Sequence, residues 1–452
     1  MALACFASAS AVVAEEDREI VAENLVDQIP YRMGLPGTIA YSSDCRRLAY
    51  VMRVNDGYAV VVDRKRVSTE RVGESPPEFS ADGRRFAFTT GNDEAQRWVI
   101  DGVPQESFAH LAATRSIFSP DGSHFAYSAV EAGKMFVVVD GRVGAKHDGV
   151  LKGTPVFSPD GRRLAYGYQD GPAWFMKCDD QVADCGEGIG MSSLVFSPDG
   201  NRFSYSFRSS GAWIVVVDGK REKAYDQSGG FLFSPDSRHY AYIATVGQKS
   251  FIVEDGKEGA PYDDFGAEPL AYSPDSSRLF GTAVRGNKVA LVNNERTGNF
   301  HDTILDGSPV FSRDGRHMAC GWQDGGKWRL EVDGVVGRAY DGIGSHTIVF
   351  SPDGNRIAFL AQSGSDWFLV MDGVEKRHYP QVIHEPVFSP DGKHVAYGVS
   401  AGQSQSFVVV DDIEGKRYDS IWHNTLHFDS NLGLYYLASA GQSVYRVQEK
   451  LE

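Results

Sequence analysis

The chain has 452 residues, 42% hydrophobic and 23% charged, the composition of a globular protein rather than a disordered or membrane-embedded one. Forty-five basic against sixty acidic residues give a formal charge of −15, which fits no phosphate-tracking nucleic-acid surface. Glycine is in excess at 49 residues, with neither a collagen period nor a Gly/Ser tract, so many tight turns are expected. No apolar run approaches the roughly 18 residues of a transmembrane segment.

The chain opens with small and apolar residues, MALACFASASAVVA, followed abruptly by Glu15, Glu16 and Asp17. Residues 1–14 read as a signal peptide cut after Ala14, although no Lys or Arg precedes Arg18 to form its basic start. A short leader is expected over 15–23, and a periplasmic or secreted bacterial location follows. Of the five cysteines only Cys178 and Cys185 are close in sequence. They fall on neighbouring strands of one hairpin and are a disulfide candidate, in keeping with an oxidising compartment.

Beyond the leader the sequence repeats. S-P-D-G begins at Ser119, Ser158, Ser197, Ser351 and Ser389, with variants at Ser42, Ser80, Ser234, Ser273 and Ser312. An aromatic marker precedes each: Tyr41, Phe79, Phe118, Phe157, Phe196, Phe233, Tyr272, Phe311, Phe350 and Phe388, with Phe428 in a worn eleventh copy. Markers lie 37 to 40 residues apart, and no linker separates the units. Each unit predicts four short strands. Strand a is a brief apolar run ending in the marker, and the S-P-D-G turn leads to strand b, as in Leu164-Ala165-Tyr166. A polar loop follows, then a β-branched strand c. An Asp-Gly turn, as at Asp140, Asp218 and Asp372, closes the hairpin to strand d, which ends near Tyr-Asp. Four strands per roughly 40 residues with no helical period predict an all-β fold, a β-propeller of about eleven four-stranded blades.

After Phe428 the sequence supplies strands b and c, then stops. Tyr31 lies ten residues before Tyr41, as Tyr340 precedes Phe350, so residues 24–32 are expected to complete the last blade. The propeller would thus span 24–452 as one ring closed by the N-terminal strand. The alternative is two smaller propellers in tandem, with the seam at the seventh unit, where Asn293-Asn294 replaces Asp-Gly.

The F-S-P-D-G phase followed by an L-A-Y strand resembles the TolB-like, WD-repeat-like β-propeller repeats of bacteria, over about residues 24–450. The resemblance implies the fold. It leaves function open, because such propellers serve as docking platforms, as gating domains of peptidases and occasionally as lyases.

Motifs for hydrolase, nucleotide and dinucleotide chemistry are absent from the sequence. His346, His384 and His423 fall on three consecutive units, each just before strand a. Three imidazoles converging at the channel mouth could hold a divalent metal and support a metal-dependent lyase or hydrolase, as some lyases of the TolB-like class resemble. Solvated loop histidines and no cofactor are the default. Arg85, Arg163, Arg202, Arg278 and Arg356, with His124, His239, His317 and His394, open strand b and are expected to pair with the nearby turn aspartates Asp82, Asp160, Asp199 and Asp353. The b–c and d–a loops differ in every unit and share the other face, with Trp322 and Trp422 nearby as candidate anchors. The reading is a non-enzymatic exported scaffold that binds a protein or peptide through this variable face.

Overall fold

A computed structural model describes residues 19–28, 38–54, 57–68, 72, 76–92, 94–112, 117–191, 193–293, 296–402 and 405–450. The expected signal peptide, Cys5 and Tyr31 lie outside them. No helix among the described residues is long and apolar enough to cross a membrane.

Eleven antiparallel sheets follow one another in a single propeller ring. Blade 9 shows the plan. Strand a comes in two pieces, Gly342–Ile343 and Val349–Phe350, both paired with strand b, Ile357–Ser363. Strand c, Asp366–Met371, and strand d, Val374–Tyr379, complete the order a-b-c-d. Strand a is therefore longer than the sequence pattern implied. It begins directly after Tyr-Asp, is interrupted, and resumes at the marker.

Each blade is packed on both faces, which is why strand b is apolar without alternation. Along one strand, Phe359 and Ala361 pack toward blade 8, while Ala358 and Leu360 pack toward blade 10. This is the two-residue period of a strand serving two neighbours at once. The tyrosine ending strand d joins the same seams: Tyr340 stands edge-on to Phe359 at 5.9 Å, and Tyr418 to Tyr436 at 6.2 Å, each in the following blade.

The a–b turns hold the seams on one face. In blade 5, the Ser197 hydroxyl donates to Asp199 at 2.5 Å and accepts from the Arg202 amide at 2.9 Å. Burial plays little part in the acidity of Asp199. The Ser197 hydroxyl, with Asn201, holds its carboxyl down at about 2. Arg202 does not pair with this turn aspartate, as the sequence spacing suggested. Its Nε reaches Asp218 of the c–d turn at 2.8 Å, because the hairpin register brings the two turns side by side. The same arginine donates to the carbonyls of Ser237 and Arg238 in blade 6, at 3.1 and 2.7 Å, and its guanidinium lies 5.0 Å from the Phe233 ring centre. Arg47, Arg85, Arg163 and Arg356 repeat this arrangement. Histidines 124, 239, 317 and 394 keep the aspartate bond, at 2.6 to 2.7 Å.

The fourth residue of the a–b turn adopts a left-handed φ in all eleven blades, and where it is glycine its Cα seats on the preceding blade's turn. A Cβ on Gly161 would come within 2.8 Å of the Asp121 carboxylate. Where serine takes this position its hydroxyl finds a use: Ser237 accepts from the Asp199 amide at 3.1 Å, and Ser276 from Asp236 at 3.0 Å.

The ring closes on itself. Glu19–Gln28 pairs antiparallel with Ser443–Lys450 as the outer strand of blade 11. This strand takes in residues 19–23, which the sequence reading set apart as leader, and overlaps the expected 24–32 at 24–28. Blade 1 then packs on blade 11. The Tyr41 hydroxyl donates to the His423 carbonyl at 2.7 Å, Arg446 to the Asp44 carbonyl at 3.2 Å, and Arg64 to the Val26 and Leu25 carbonyls. At the worn seventh unit, Asn293 still pairs across the hairpin with Arg296, and Phe280 meets Phe311 of blade 8 at 5.3 Å. No seam divides the ring there.

The expected disulfide is not formed: Cys45, Cys178, Cys185 and Cys320 are all free and buried. A two-residue turn sets Cys178 opposite Gln181, while the Cys185 amide bonds to the Trp174 carbonyl at the far end of the hairpin. Four strand positions, at about 3.3 Å each, separate the two sulfurs' anchors by far more than a disulfide spans.

Two predictions follow from these contacts. Gly161→Ala and Gly171→Ala both carry the cost of a left-handed φ, but a Cβ at Gly171 meets open space. In urea denaturation Gly161→Ala should lose about 1–2 kcal/mol more than Gly171→Ala, from crowding against the neighbouring turn. Burial pushes the Cys178 and Cys185 thiols up to about 11, so both should resist a thiol reagent in the native protein at pH 8. Both should react after unfolding without reductant, and failure of the pair to react then would contradict the free-thiol assignment.

Candidate binding face and channel rim

On the face opposite the S-P-D-G turns lie the b–c connections and the crossings into strand a. Most b–c connections are two-residue turns, such as the one between Asp324 and its partner Lys327. Longer ones occur in blade 2, between Gly91 and Gln96, and in blade 10, between Ser400 and Ser406. This face thus varies more in residue type than in loop length.

It also carries a second recurring clamp, which the sequence reading missed. In four blades the aspartate of Tyr-Asp or His-Asp takes one bond from a b–c turn amide of its own blade and one from a lysine of the blade before; Asp226 and Asp419 take the turn amide alone. Asp148 accepts from the Gly171 amide at 2.7 Å and from Lys134 at 2.6 Å. Asp263 and Asp302 do the same with Lys249 and Lys288, both at 2.6 Å. Lys327 and Asp341 make the equivalent contact. The signal was present as a lysine fourteen residues before the aspartate in successive units.

The interruption of strand a forms the inner rim of the ring. A Ser or Thr makes the interruption possible by standing in for the missing backbone partner. Thr347 donates to the Gly344 carbonyl at 2.8 Å and accepts from the Leu360 amide at 3.2 Å. Thr425 repeats this with Trp422 and Leu437, and Ser193 with Gly190 and Ser206. Strand b keeps its hydrogen bonds while the rim residues swing inward. Those residues differ from blade to blade: Lys152, Met191, Asp306, His346, Glu385 and His423 are all exposed.

His346, His384 and His423 sit in these interruptions, within the inner strand rather than in a loop before it. They do not converge. His346 has a left-handed backbone and turns back to blade 8, where its amide donates to the Asp306 carbonyl at 3.4 Å and its ring covers Gly307. His384 turns forward, with Nε2 3.3 Å from the Ile421 carbonyl of blade 11, and its ring centre is 5.0 Å from that of His423. His384 is buried over Gly398, where Leu151 covers Gly167 and Leu305 covers Gly321 in other blades. It is a packing residue in a loop one residue shorter than its neighbours. Among the described residues no group of three His, Cys, Asp or Glu side chains could hold a metal ion. The tryptophans are also engaged. Trp322, half-buried on strand b of blade 8, stacks on His301 at 4.1 Å. Trp422 packs edge-on against Tyr41 at 6.4 Å in the closing seam.

Burial lowers the His384 imidazole to about 4 from its ordinary 6.5, and the adjacent His423 acts in the same direction. Between those values the unfolded chain holds the extra proton, so stability is full above 6.5 and declines as pH falls toward 4. His384→Leu puts over Gly398 the side chain that Leu151 and Leu305 put over the equivalent glycines of blades 4 and 8. Between pH 7.5 and 5 the wild-type chain should lose about 2 kcal/mol more than this variant, measured by urea denaturation at each pH.

No family model matches the chain, and no curated protein matches it. Solved structures do. A eukaryotic initiation factor is similar at 12% identity and a TM-score of 0.40, over 83% of this chain and 96% of that one. TolB from Acinetobacter baumannii is similar at 13% identity and a TM-score of 0.26, over 63% and 79%. The dihydro-heme d1 dehydrogenase NirN is similar at 16% identity and a TM-score of 0.33, over 72% and 71%. Likeness at this level says nothing of what the chain binds.

Proposed function

We propose that the protein is a non-enzymatic scaffold that binds a protein or peptide through its channel rim and the b–c turns beside it. One observation carries this reading. Both turns of the opposite face are fixed by a hydrogen-bond pattern repeated from blade to blade, whereas the rim positions of Lys152, Met191, Asp306 and Glu385 are exposed and follow no repeat. Side chains free of a structural duty on a rigid frame are where recognition is built. The rim offers cationic, anionic and apolar groups within one ring (Lys152, Asp306, Glu385, Met191), as an extended polypeptide ligand requires.

Export to the periplasm or medium is part of the proposal and rests on residues 1–14 alone. The free Cys178 and Cys185 withdraw the disulfide as an argument for an oxidising compartment.

A displayed peptide library selected against the purified chain tests the binding reading. Selected peptides should bind saturably, and joint replacement of Lys152, Asp306 and Glu385 by alanine should weaken them at least tenfold. The melting temperature should stay within about 2 °C, as for surface substitutions generally. Failure to select any peptide, or peptides indifferent to these replacements and to changes in the b–c turns, would contradict it.

A further inference from the structure

Blade 6 departs from the others at the rim. Its marker Phe233 follows Phe196 by 37 residues, and the missing residues come from the interruption of strand a. Strand a of this blade, Gln227–Phe233, passes the gap with a register shift between Gly229 and Leu232 in place of a looped segment. The space that the loop fills elsewhere is open. It forms a cavity of about 500 Å³ between blades 5 and 6, within the size range of small-molecule sites.

Two residues of the cavity break the repeat in the same sense. Ser204 occupies a strand-b position held by alanine in eight of the eleven blades, including Ala165 and Ala241 on either side. Ser228 occupies a strand-a position that is aliphatic in blades 4, 5, 8, 9, 10 and 11, as at Ile189 and Ile343. Both line the cavity. Both hydroxyls are buried without a hydrogen-bond partner among the described residues, and Ser204 is 0% exposed. Seam packing explains neither, since the repeat's own alanine and isoleucine serve that purpose and leave no polar atom unpaired.

The walls complete the chemistry. Trp213 and Phe231 supply aromatic surface, Met191 stands at the lip with 74% exposure, and no described lining residue carries a charge. We infer that this cavity is a binding site for an uncharged aromatic ring bearing a hydroxyl group. The ring would pack on the aromatic walls, and its hydroxyl would donate to and accept from the two serines. The inference is independent of the scaffold reading, because it concerns a small group and stands whether or not the rim has a protein partner.

The test titrates the full chain with p-cresol, and separately with N-acetyltyrosinamide, by calorimetry and ligand-observed NMR. Saturable binding is expected. Ser228→Ile, which restores the repeat residue and fills the space, should abolish it. Gly229→Phe should do the same, since a Cβ there meets no atom within 4 Å and the ring can turn into the cavity. Ser204→Ala should weaken binding about fivefold, in line with one lost hydrogen bond. Ser204→Ala and Ser228→Ile should melt no lower than wild type, since both return to the residues used in other blades. Binding of p-cresol alone assigns a free small molecule as the ligand, and binding of both probes includes a tyrosine side chain. If neither probe saturates, or if affinity is indifferent to Ser228→Ile and Gly229→Phe, the site does not exist.

Discussion

Between neighbouring blades, the turn that opens strand b in one seats on the corresponding turn of the next, and in five of the blades an arginine ties the contact. Arg202 shows the geometry: one side of its guanidinium holds Asp218 of its own hairpin, and the other holds two carbonyls of the following blade. The aspartate in turn accepts the Phe203 amide at 3.0 Å, so two turns within a blade and one beyond it form a single unit. Each pair is partly exposed and contributes modestly by itself. The contact is geometric as much as energetic, because it sets the spacing of one sheet against the next.

From that spacing the remaining architecture follows. Sheets held at a constant offset bury both faces, which calls for small and aromatic residues on strand b and a tyrosine at the end of strand d. Stability is then close to a sum of similar neighbour terms, as in other repeat proteins. Closure adds the seam between the last blade and the first, supplied by Glu19–Gln28 and by Tyr41, Trp422 and Arg446. Function has room where these requirements relax, at the interrupted inner strand. A Thr or Ser hydroxyl keeps the sheet bonded there and frees the rim residues.

Much of this was legible in the sequence. The spacing of Tyr41 to Phe428 fixes the number of units, and the positions of Pro and Gly fix the turns, because both signals are local and depend on backbone φ. Contacts set by register were less legible. Asp199 is three residues from Arg202 and Asp218 is sixteen, yet the hairpin brings the distant one into reach. Cys178 and Cys185 are close in sequence and far apart along the hairpin for the same reason. His346 and His384 occupy similar sequence positions but lean toward opposite neighbours, a direction decided by loop length and by glycines on adjacent strands. Ser204 and Ser228 were visible as departures from the repeat. Their meaning appeared only when the shortened blade placed them around one cavity.

The central claim is that eleven units form one ring, with the N-terminal strand completing the last blade. Electron microscopy of the purified chain, averaged in the view down the channel, tests it most directly. One ring with eleven radial lobes and an open centre is the predicted image. Two smaller rings, or a single ring with any other number of lobes, would contradict the account.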